Sequence, residues 1–379
     1  MSSGSATRYL PEHATCIAMI DLHDHGALPL PLTVEEIDAA WLTRALRQRV
    51  PEVTVEKADV IDVLKGTSTK VRVKVPFSGQ GSAQLGPTLI VKGGFEAHSP
   101  SIAPMYANEA RFYADVQPYL PMPSPACHFA GSDPNSHQSI VILEDLKRPG
   151  VAFLDPLHPQ SFDQIARRLK VMAGYHRATW LSPSFEPGGR WADICSRFDG
   201  WGVDYMRRYL EPTAWRKAMS LPRAAAVSTR LQDGEWMERA LARIGDVQSN
   251  QPHCLIHGDT HLGNLYILDD GAPGFFDAQV ARSAWHHEVS YHIICAADVG
   301  DRARWERELL SIYLDELARQ YGPRLDAEGA WFDYRMSVVW GLFIFLINET
   351  RFQTEAVNTA YTARFGQAAL DHDIRKLIL

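Results

Sequence analysis

The sequence predicts an α+β fold in which a smaller lobe built on an antiparallel sheet precedes a larger, mainly helical lobe. Three observations carry this. Between residues 53 and 92, short β-branched runs alternate apolar and polar residues and are separated by Gly, Ser and Pro clusters, the period-two pattern of half-buried strands. From about residue 160 almost to the end, apolar residues recur at helical spacing, as amphipathic helices require. With 379 residues, 46% of them hydrophobic and 22% charged, the chain can build more than one core, because single cores stop growing below that size.

Each element can be justified in order. Residues 1–32 mix polar residues, glycine and proline without a period and close on LPLPL, so an extended or poorly ordered leader is expected. Thr33 with Glu36 three residues on has the form of a capping box, and Ile37, Ala40, Trp41, Ala45 and Leu46 then recur at helical spacing, which predicts a helix starting at Thr33. VEKADVIDVL, TKVRVKVPF and PTLIVKGG predict three antiparallel strands, the first two joined by the small-residue turn KGTSTK, residues 65–70. YANEARFYADVQPYL predicts a helix over 106–120, QSIVILEDL a buried strand over 138–146, and PQSFDQIARRLKVMAGYHRATW a long helix over 159–180.

Composition excludes several function classes. The net charge of −7 and the absence of long basic runs argue against a nucleic-acid surface, since phosphate neutralisation needs clustered Lys and Arg. Five cysteines stand singly with no CxxC pair, which suits a reducing compartment. The N-terminus has no basic patch followed by an apolar run, so it does not read as a secretory signal, and a cytoplasmic protein is expected. The most apolar run, VVWGLFIFLI over 338–347, is half the length of about 20 residues that a membrane span needs. It reads as a core helix.

One stretch concentrates chemistry. In CLIHGDTHLGNLYILDDGAPGFFDAQ, residues 254–279, short apolar segments flank a polar loop, and DDGAPG is a turn between two strands. A hairpin there places Asp259, Asn264 and Asp277 near one end of it. A carboxylate able to take a proton, beside a carboxamide and a second carboxylate able to hold a hard cation, is the set that phosphoryl transfer needs.

HGDTHLGN with GFFDAQ resembles the catalytic and metal-binding signature of the aminoglycoside phosphotransferase and choline kinase superfamily, including its ecdysteroid-kinase-like branch. The resemblance spans roughly residues 33–379 and is strongest over 254–279. It implies a protein-kinase-like bilobal fold, with 33–146 as a nucleotide-binding lobe ending in a hinge and 147–379 as the catalytic and substrate-binding lobe. It implies an ATP-dependent O-phosphotransferase in which Asp259 is the catalytic base and Asn264 and Asp277 hold Mg²⁺. Lys92 in LIVKGG would contact the phosphates and Glu109 in NEARFY would position it. Gly66, Thr67 and Ser68 would cover the phosphates, and the backbone at Leu143, Glu144 and Leu146 would bond the adenine edge. The chain departs from many relatives in having Ala278 and Gln279, with no aromatic residue, after the metal-binding aspartate, and it has no GxGxxG loop.

Two other readings compete. His257, Asp259 and His261 could form the metal cluster of a hydrolase, although no HExxH-type spacing accompanies them. A kinase-like protein that binds nucleotide without catalysis is the other, and it requires a missing group where none is missing. For the acceptor, residues 281–379 hold 14 Asp and Glu against 11 Lys and Arg, too even a balance for a polycation site. AWFDYRMSVVWGLFIFLINETRF, 330–352, is rich in aromatics, which suits a small, largely uncharged or apolar hydroxyl compound if one face lines a pocket, and otherwise an ordinary core helix.

Overall fold

A computed structural model describes residues 28–81 and 84–378, and the expected leader lies outside the described residues up to position 27. Among the described residues the chain forms two compact units, one made of 28–153 with 264–280 and the other of 154–263 with 281–378.

The first unit begins with α1 (Ala39–Leu46), β1 (Thr54–Val55), β2 (Asp59–Leu64), β3 (Thr69–Lys74), β4 (Phe77–Ser78), β5 (Thr88–Gly93), α2 (Ala103–Arg111), β6 (Cys127–Asp133), β7 (Gln138–Glu144) and β8 (Val151–Phe153). The second unit then supplies α3 (Phe162–Thr179), α4 (Gly200–Leu210), α5 (Pro212–Met219), α6 (Gly234–Ser249) and β9 (Cys254–Ile256). Hairpin strands β10 (Leu265–Leu268) and β11 (Pro273–Phe275) belong to the first unit. The rest belongs to the second: β12 (Ala281–Ser283), α7 (His286–Ala296), α8 (Val299–Leu317), α9 (Ala327–Met336), α10 (Val338–Ile347), α11 (Glu355–Asp371) and α12 (Ile374–Ile378).

Five antiparallel strands in the order β2-β3-β5-β7-β6 make the main sheet of the first unit. In β3, Thr69, Val71 and Val73 are buried while Lys70, Arg72 and Lys74 alternate with them, as the two faces of a pleated strand demand. Val71 and Val73 join Leu89, Val91, Ile140 and Ile142 in a core covered by Trp41, Leu42 and Leu46 of α1. That core leaves Lys70 and its cross-strand partner Lys92 on the other face.

Two local expectations are corrected. α1 starts at Ala39, not Thr33: Asp38 caps it by accepting the Trp41 N–H at 2.6 Å, whereas Thr33 makes no side-chain cap bond. Residues 34–36 form a single 3-10 turn, and Glu36 accepts the Leu32 N–H at 2.7 Å. A charged cap directly before the apolar run gains from the helix dipole as well as from the hydrogen bond. The helix expected over 106–120 is α2, which widens into a π turn over Phe112–Val116 and tightens into a 3-10 turn at Gln117–Tyr119.

In the second unit, α3 opens on a true capping box formed by Ser161 and Gln164. One large core gathers Met237 and Leu241 of α6, Tyr291 and Ile294 of α7, Phe343 and Phe345 of α10, and Phe365 of α11. The apolar stretch Ala327–Ile347 has the length to cross a membrane, yet 78% of its most apolar window is buried inside the protein, and Ser337 divides it into α9 and α10. Helical lobe and antiparallel lobe together give the α+β class that the sequence predicts.

Candidate active site

The first unit gathers four charged groups on the sheet face opposite α1. Lys92 of β5 is buried, and its Nζ donates to the Glu109 carboxylate of α2 at 2.6 Å and to Asp277 Oδ1 at 2.7 Å. Lys70 Nζ donates to Asp277 Oδ2 at 2.9 Å. Asp277 follows β11 with φ +58°, a left-handed conformation that a residue with a Cβ rarely adopts. Its loop is tied to α2 twice: Asn108 Nδ2 donates to the Val280 carbonyl at 2.8 Å, and Gln279 Nε2 to the Met105 carbonyl at 3.2 Å. Gln279 thus anchors the loop that carries Asp277.

Electrostatics favour the charged forms of Asp277 and Lys92, while burial pushes the Glu109 carboxyl up. Burial alone would raise the Asp277 carboxyl, but the charges of Lys70 and Lys92 bring it well below the usual carboxylate range. Burial likewise opposes the charge on Lys92, and Asp277 and Glu109 overcome it and raise the ammonium group. Both act as fixed charges at neutral pH.

Asn264 stands beside Asp277. In the β10–β11 hairpin Leu265 pairs with Phe275, and the Phe276 N–H donates to the Asn264 carbonyl at 3.0 Å, so Asn264 lies opposite Phe276 and Asp277 follows one residue on at the same end of the hairpin. An ionised carboxylate with a neighbouring carboxamide fits Mg²⁺, which takes one or two protein oxygens and completes its shell from phosphates and water. Among the described residues no three His, Cys, Asp or Glu side chains are grouped to hold a metal on their own.

Gly66, Thr67 and Ser68 lie in the turn between β2 and β3. Its Thr67 carbonyl accepts from the Tyr106 hydroxyl of α2 at 2.5 Å, which pins the turn, and Ser68 is buried. Leu143 and Glu144 end β7, paired with Ile90 and Leu89. The Leu146 carbonyl accepts the Arg148 N–H at 2.9 Å. Between them Asp145 receives Arg72 Nε at 2.5 Å, the Thr88 hydroxyl at 2.7 Å and the Lys147 N–H at 2.9 Å, which fixes the backbone on either side.

The second unit carries Asp259 on the loop after β9. Gly258 before it has φ +84°, the conformation glycine adopts without penalty. The loop is held at nearly every residue. Gly258 N–H donates to Glu288 Oε1 at 2.6 Å, Arg197 Nη2 donates to the Gly258 carbonyl at 2.5 Å, and His292 Nδ1 donates to the Thr260 carbonyl at 2.9 Å. The Tyr361 hydroxyl accepts the Leu262 N–H at 3.1 Å. The Asp259 carboxylate itself accepts from the Tyr291 hydroxyl at 3.0 Å, and the Tyr291 ring stacks on Phe345 at 5.7 Å and 10°. Within the aromatic stretch 330–352, α10 is therefore mostly core, and its Phe345 packs on both Tyr291 and His261 beside Asp259.

The loop histidines brace the loop, and His261 Nε2 lies 3.7 Å from the Asp259 carboxylate. His257 Nδ1 accepts the Asp259 N–H at 3.2 Å, His261 Nδ1 accepts the Gly263 N–H at 3.0 Å, and His261 Nε2 meets Gln353 Nε2 at 3.0 Å. His286 and His287 are buried: His286 bonds Ser337 at 2.6 Å and His287 bonds Gln248 at 2.8 Å.

Sequence reasoning missed Glu288, Tyr291, Arg197 and the Lys70 side chain. Glu288 is fully enclosed and also accepts from Tyr175 at 2.6 Å and His176 at 2.9 Å. Burial would raise its carboxyl, and the His176 hydrogen bond and charge hold it below its ordinary value. A lone carboxylate inside the apolar run HHEVSYHII was the available signal, because an unpaired buried charge is costly and implies partners.

The model of the phosphotransferase enzyme family, APH, matches residues 83–333, and no curated protein matches the chain. Among solved structures, the chain is similar to the GDP and kanamycin complex of APH(2")-IIIa, with 9% identity and a TM-score of 0.49 over 87% of this chain and 98% of that one. It is also similar to spectinomycin phosphotransferase in complex with ADP and spectinomycin, with 12% identity, TM-score 0.46 and coverage of 89% and 99%. Macrolide 2'-phosphotransferase from Brachybacterium faecium gives 15% identity, TM-score 0.40 and coverage of 86% and 97%.

Proposed function

The chain belongs to the phosphotransferase enzyme family and is a phosphotransferase with an alcohol group as acceptor; from that premise we propose an ATP- and Mg²⁺-dependent kinase of a small, largely uncharged hydroxyl compound. One observation supports it above the others: a buried lysine held between Glu109 and Asp277 at 2.6 and 2.7 Å, an ammonium group fixed in position beside a carboxylate that suits a cation. Residues 33–146 act as the nucleotide-binding lobe and 147–379 as the catalytic and substrate-binding lobe.

In this reading the backbone of Leu143, Glu144 and Leu146 receives the adenine edge, and Gly66, Thr67 and Ser68 cover the phosphates. Lys92 neutralises phosphate charge, and Glu109 keeps its ammonium group in place. Asn264 and Asp277 would hold Mg²⁺, which when bound supplies further charge neutralisation on the phosphates. Asp259 orients the acceptor hydroxyl and takes its proton as the oxygen bonds to the γ-phosphorus, while the bond from that phosphorus to the bridging oxygen breaks and ADP leaves with its electron pair. Tyr291 fixes one carboxylate oxygen of Asp259, so the proton goes to a defined position.

For the acceptor, α4 offers a half-buried aromatic ladder. Trp201 and Tyr205 lie 5.1 Å apart, Tyr205 and Tyr209 4.9 Å, and the Tyr209 hydroxyl is held by Glu349 at 2.7 Å. Such a face favours a neutral or apolar ring over a polycation. A cytoplasmic location stays part of the proposal: the buried free thiols Cys127, Cys254 and Cys295 favour it, and the disulfide-bonded Cys195 argues the other way.

The test is an ATP-consumption screen over hydroxylated compounds, with and without Mg²⁺, followed by Asp259→Asn on any acceptor found. Turnover should fall roughly 10²- to 10⁴-fold, the usual share of a general base, with ATP binding retained. Undiminished turnover in the variant removes Asp259 as the base. Zinc-dependent hydrolysis indifferent to nucleotide would replace the proposal altogether.

A further inference from the structure

Lys70 has a position that an ordinary surface lysine does not take. It is the direct cross-strand partner of Lys92, and like charges opposite each other on a sheet repel. That repulsion is offset here by one carboxylate between them: Asp277 gives Oδ2 to Lys70 at 2.9 Å and Oδ1 to Lys92 at 2.7 Å. Glu109 forms its ion pair with Lys92. Lys70 is also the only one of the three cations on that face of β3 to meet Asp277: Arg72 turns to Asp145 at 2.5 Å, and Lys74 is exposed. It lies two residues past Ser68, the last residue of the turn that carries Gly66, Thr67 and Ser68.

The charges of this cluster sum to zero, with two ammonium groups against two carboxylates. A divalent cation placed on Asp277 would add two positive charges beside two lysines and raise the electrostatic energy of a buried site. Triphosphate removes the difficulty, because its oxygens accept from both lysines while Asp277 turns to the metal. An ammonium group on a four-carbon stem can make that exchange without moving the strand that bears it.

We propose that Lys70 is a second phosphate-binding lysine, forming with Lys92 a two-pronged cradle for a nucleoside triphosphate, and that Asp277 holds both prongs until the phosphates take them. The inference rests on the nucleotide reading above. It goes beyond that reading in giving the second residue of β3 a side-chain role, and in coupling metal binding to phosphate binding. Mg²⁺ alone then binds weakly, and Mg²⁺ with ATP binds well.

Calorimetric titration of the intact protein tests this with ATP, adenosine, GTP, guanosine and Mg²⁺ as separate probes, on wild type, Lys70→Met and Lys70→Arg. The Met variant keeps the unbranched stem of the side chain and loses the ammonium group that ends it. It should bind triphosphate about ten- to a hundredfold more weakly, the size of a lost charge-assisted contact, with nucleoside affinity unchanged, and Lys70→Arg should recover much of the loss. Wild type should show Mg²⁺ binding only in the presence of triphosphate. If the Met variant binds triphosphate as well as wild type, or loses nucleoside and triphosphate affinity equally, the second prong is refuted while the kinase reading stands. If wild type binds none of the four nucleotides and nucleosides, the nucleotide reading fails and takes this inference with it.

Discussion

Glu288 offers the sharpest test of how the Asp259 loop is held. Its carboxylate is 2% exposed and accepts three hydrogen bonds, from Gly258 N–H, Tyr175 and His176, at 2.6, 2.6 and 2.9 Å. Glu288→Ala leaves all three donors buried without an acceptor. At about 1–2 kcal/mol for each stranded donor the loss is about 3–6 kcal/mol, close to the roughly 3–5 kcal/mol seen when one member of a buried charged pair is removed. Glu288→Gln keeps the volume, but its NH₂ must face a donor. Turned toward Gly258, it confronts an N–H that cannot reverse. Turned the other way, it confronts a hydroxyl and an imidazole, which can both switch roles. The amide therefore adopts the second orientation, at a cost of about 1–3 kcal/mol for the charge-assisted bonds that become neutral. Urea unfolding of both variants at pH 7 measures the stability change, and turnover with nucleotide affinity measures the function. The expected order is wild type, Gln, Ala in stability, with kcat falling in parallel and ATP affinity nearly constant, because nothing in the first unit has changed. A loss below about 1 kcal/mol for Glu288→Ala would refute the argument that this carboxylate holds the loop.

Two further predictions follow from packing and charge. Burial lowers His286 and His292 to about 3 and His287 further below its ordinary value, so all three fold neutral. Because the unfolded chain binds their protons near pH 6.5, the stability they allow is full above that pH and is lost as pH falls toward 3, by up to about 1.4 kcal/mol per unit for each histidine. Denaturation midpoints at pH 7.5 and 5.5 should show a steep fall, and a flat profile would contradict the neutral assignment. Gly274→Ala would set a Cβ 2.0 Å from the Tyr266 ring in the β10–β11 hairpin, an overpacking worth about 1–3 kcal/mol. Its melting temperature and Mg²⁺-ATP affinity should both drop, and a variant unchanged in both would mean that the hairpin does not hold Asn264 and Asp277 in register.

Periodicity and local chemistry made much of this protein legible in advance. The alternation in TKVRVKV gave β3 and its buried face, and DDGAPG between two apolar runs gave the β10–β11 hairpin that brings Asn264 beside Asp277. The family match over residues 83–333 agrees with the resemblance read from HGDTHLGN and GFFDAQ. The start of α1 was misplaced because Thr33 and Asp38 are both acceptable caps by composition. Which one closes a hydrogen bond depends on where Trp41 can be buried, and that is a property of the packed sheet.

What the sequence determined by itself is what depends on neighbours along the chain: strand and helix periods, turns, and the order of chemically apt residues from Lys92 to Asp277. Contacts between residues far apart in sequence were decided only by the tertiary structure. Lys70 reads as one more solvated lysine until the register sets it opposite Lys92, with the Asp277 carboxylate, 207 residues on, between them. Glu288 reads as a stray charge in an apolar helix until Gly258, Tyr175 and His176 close around it. Both depend on the low dielectric of a packed interior, where an ion must find its partner and the partner's distance along the chain does not matter.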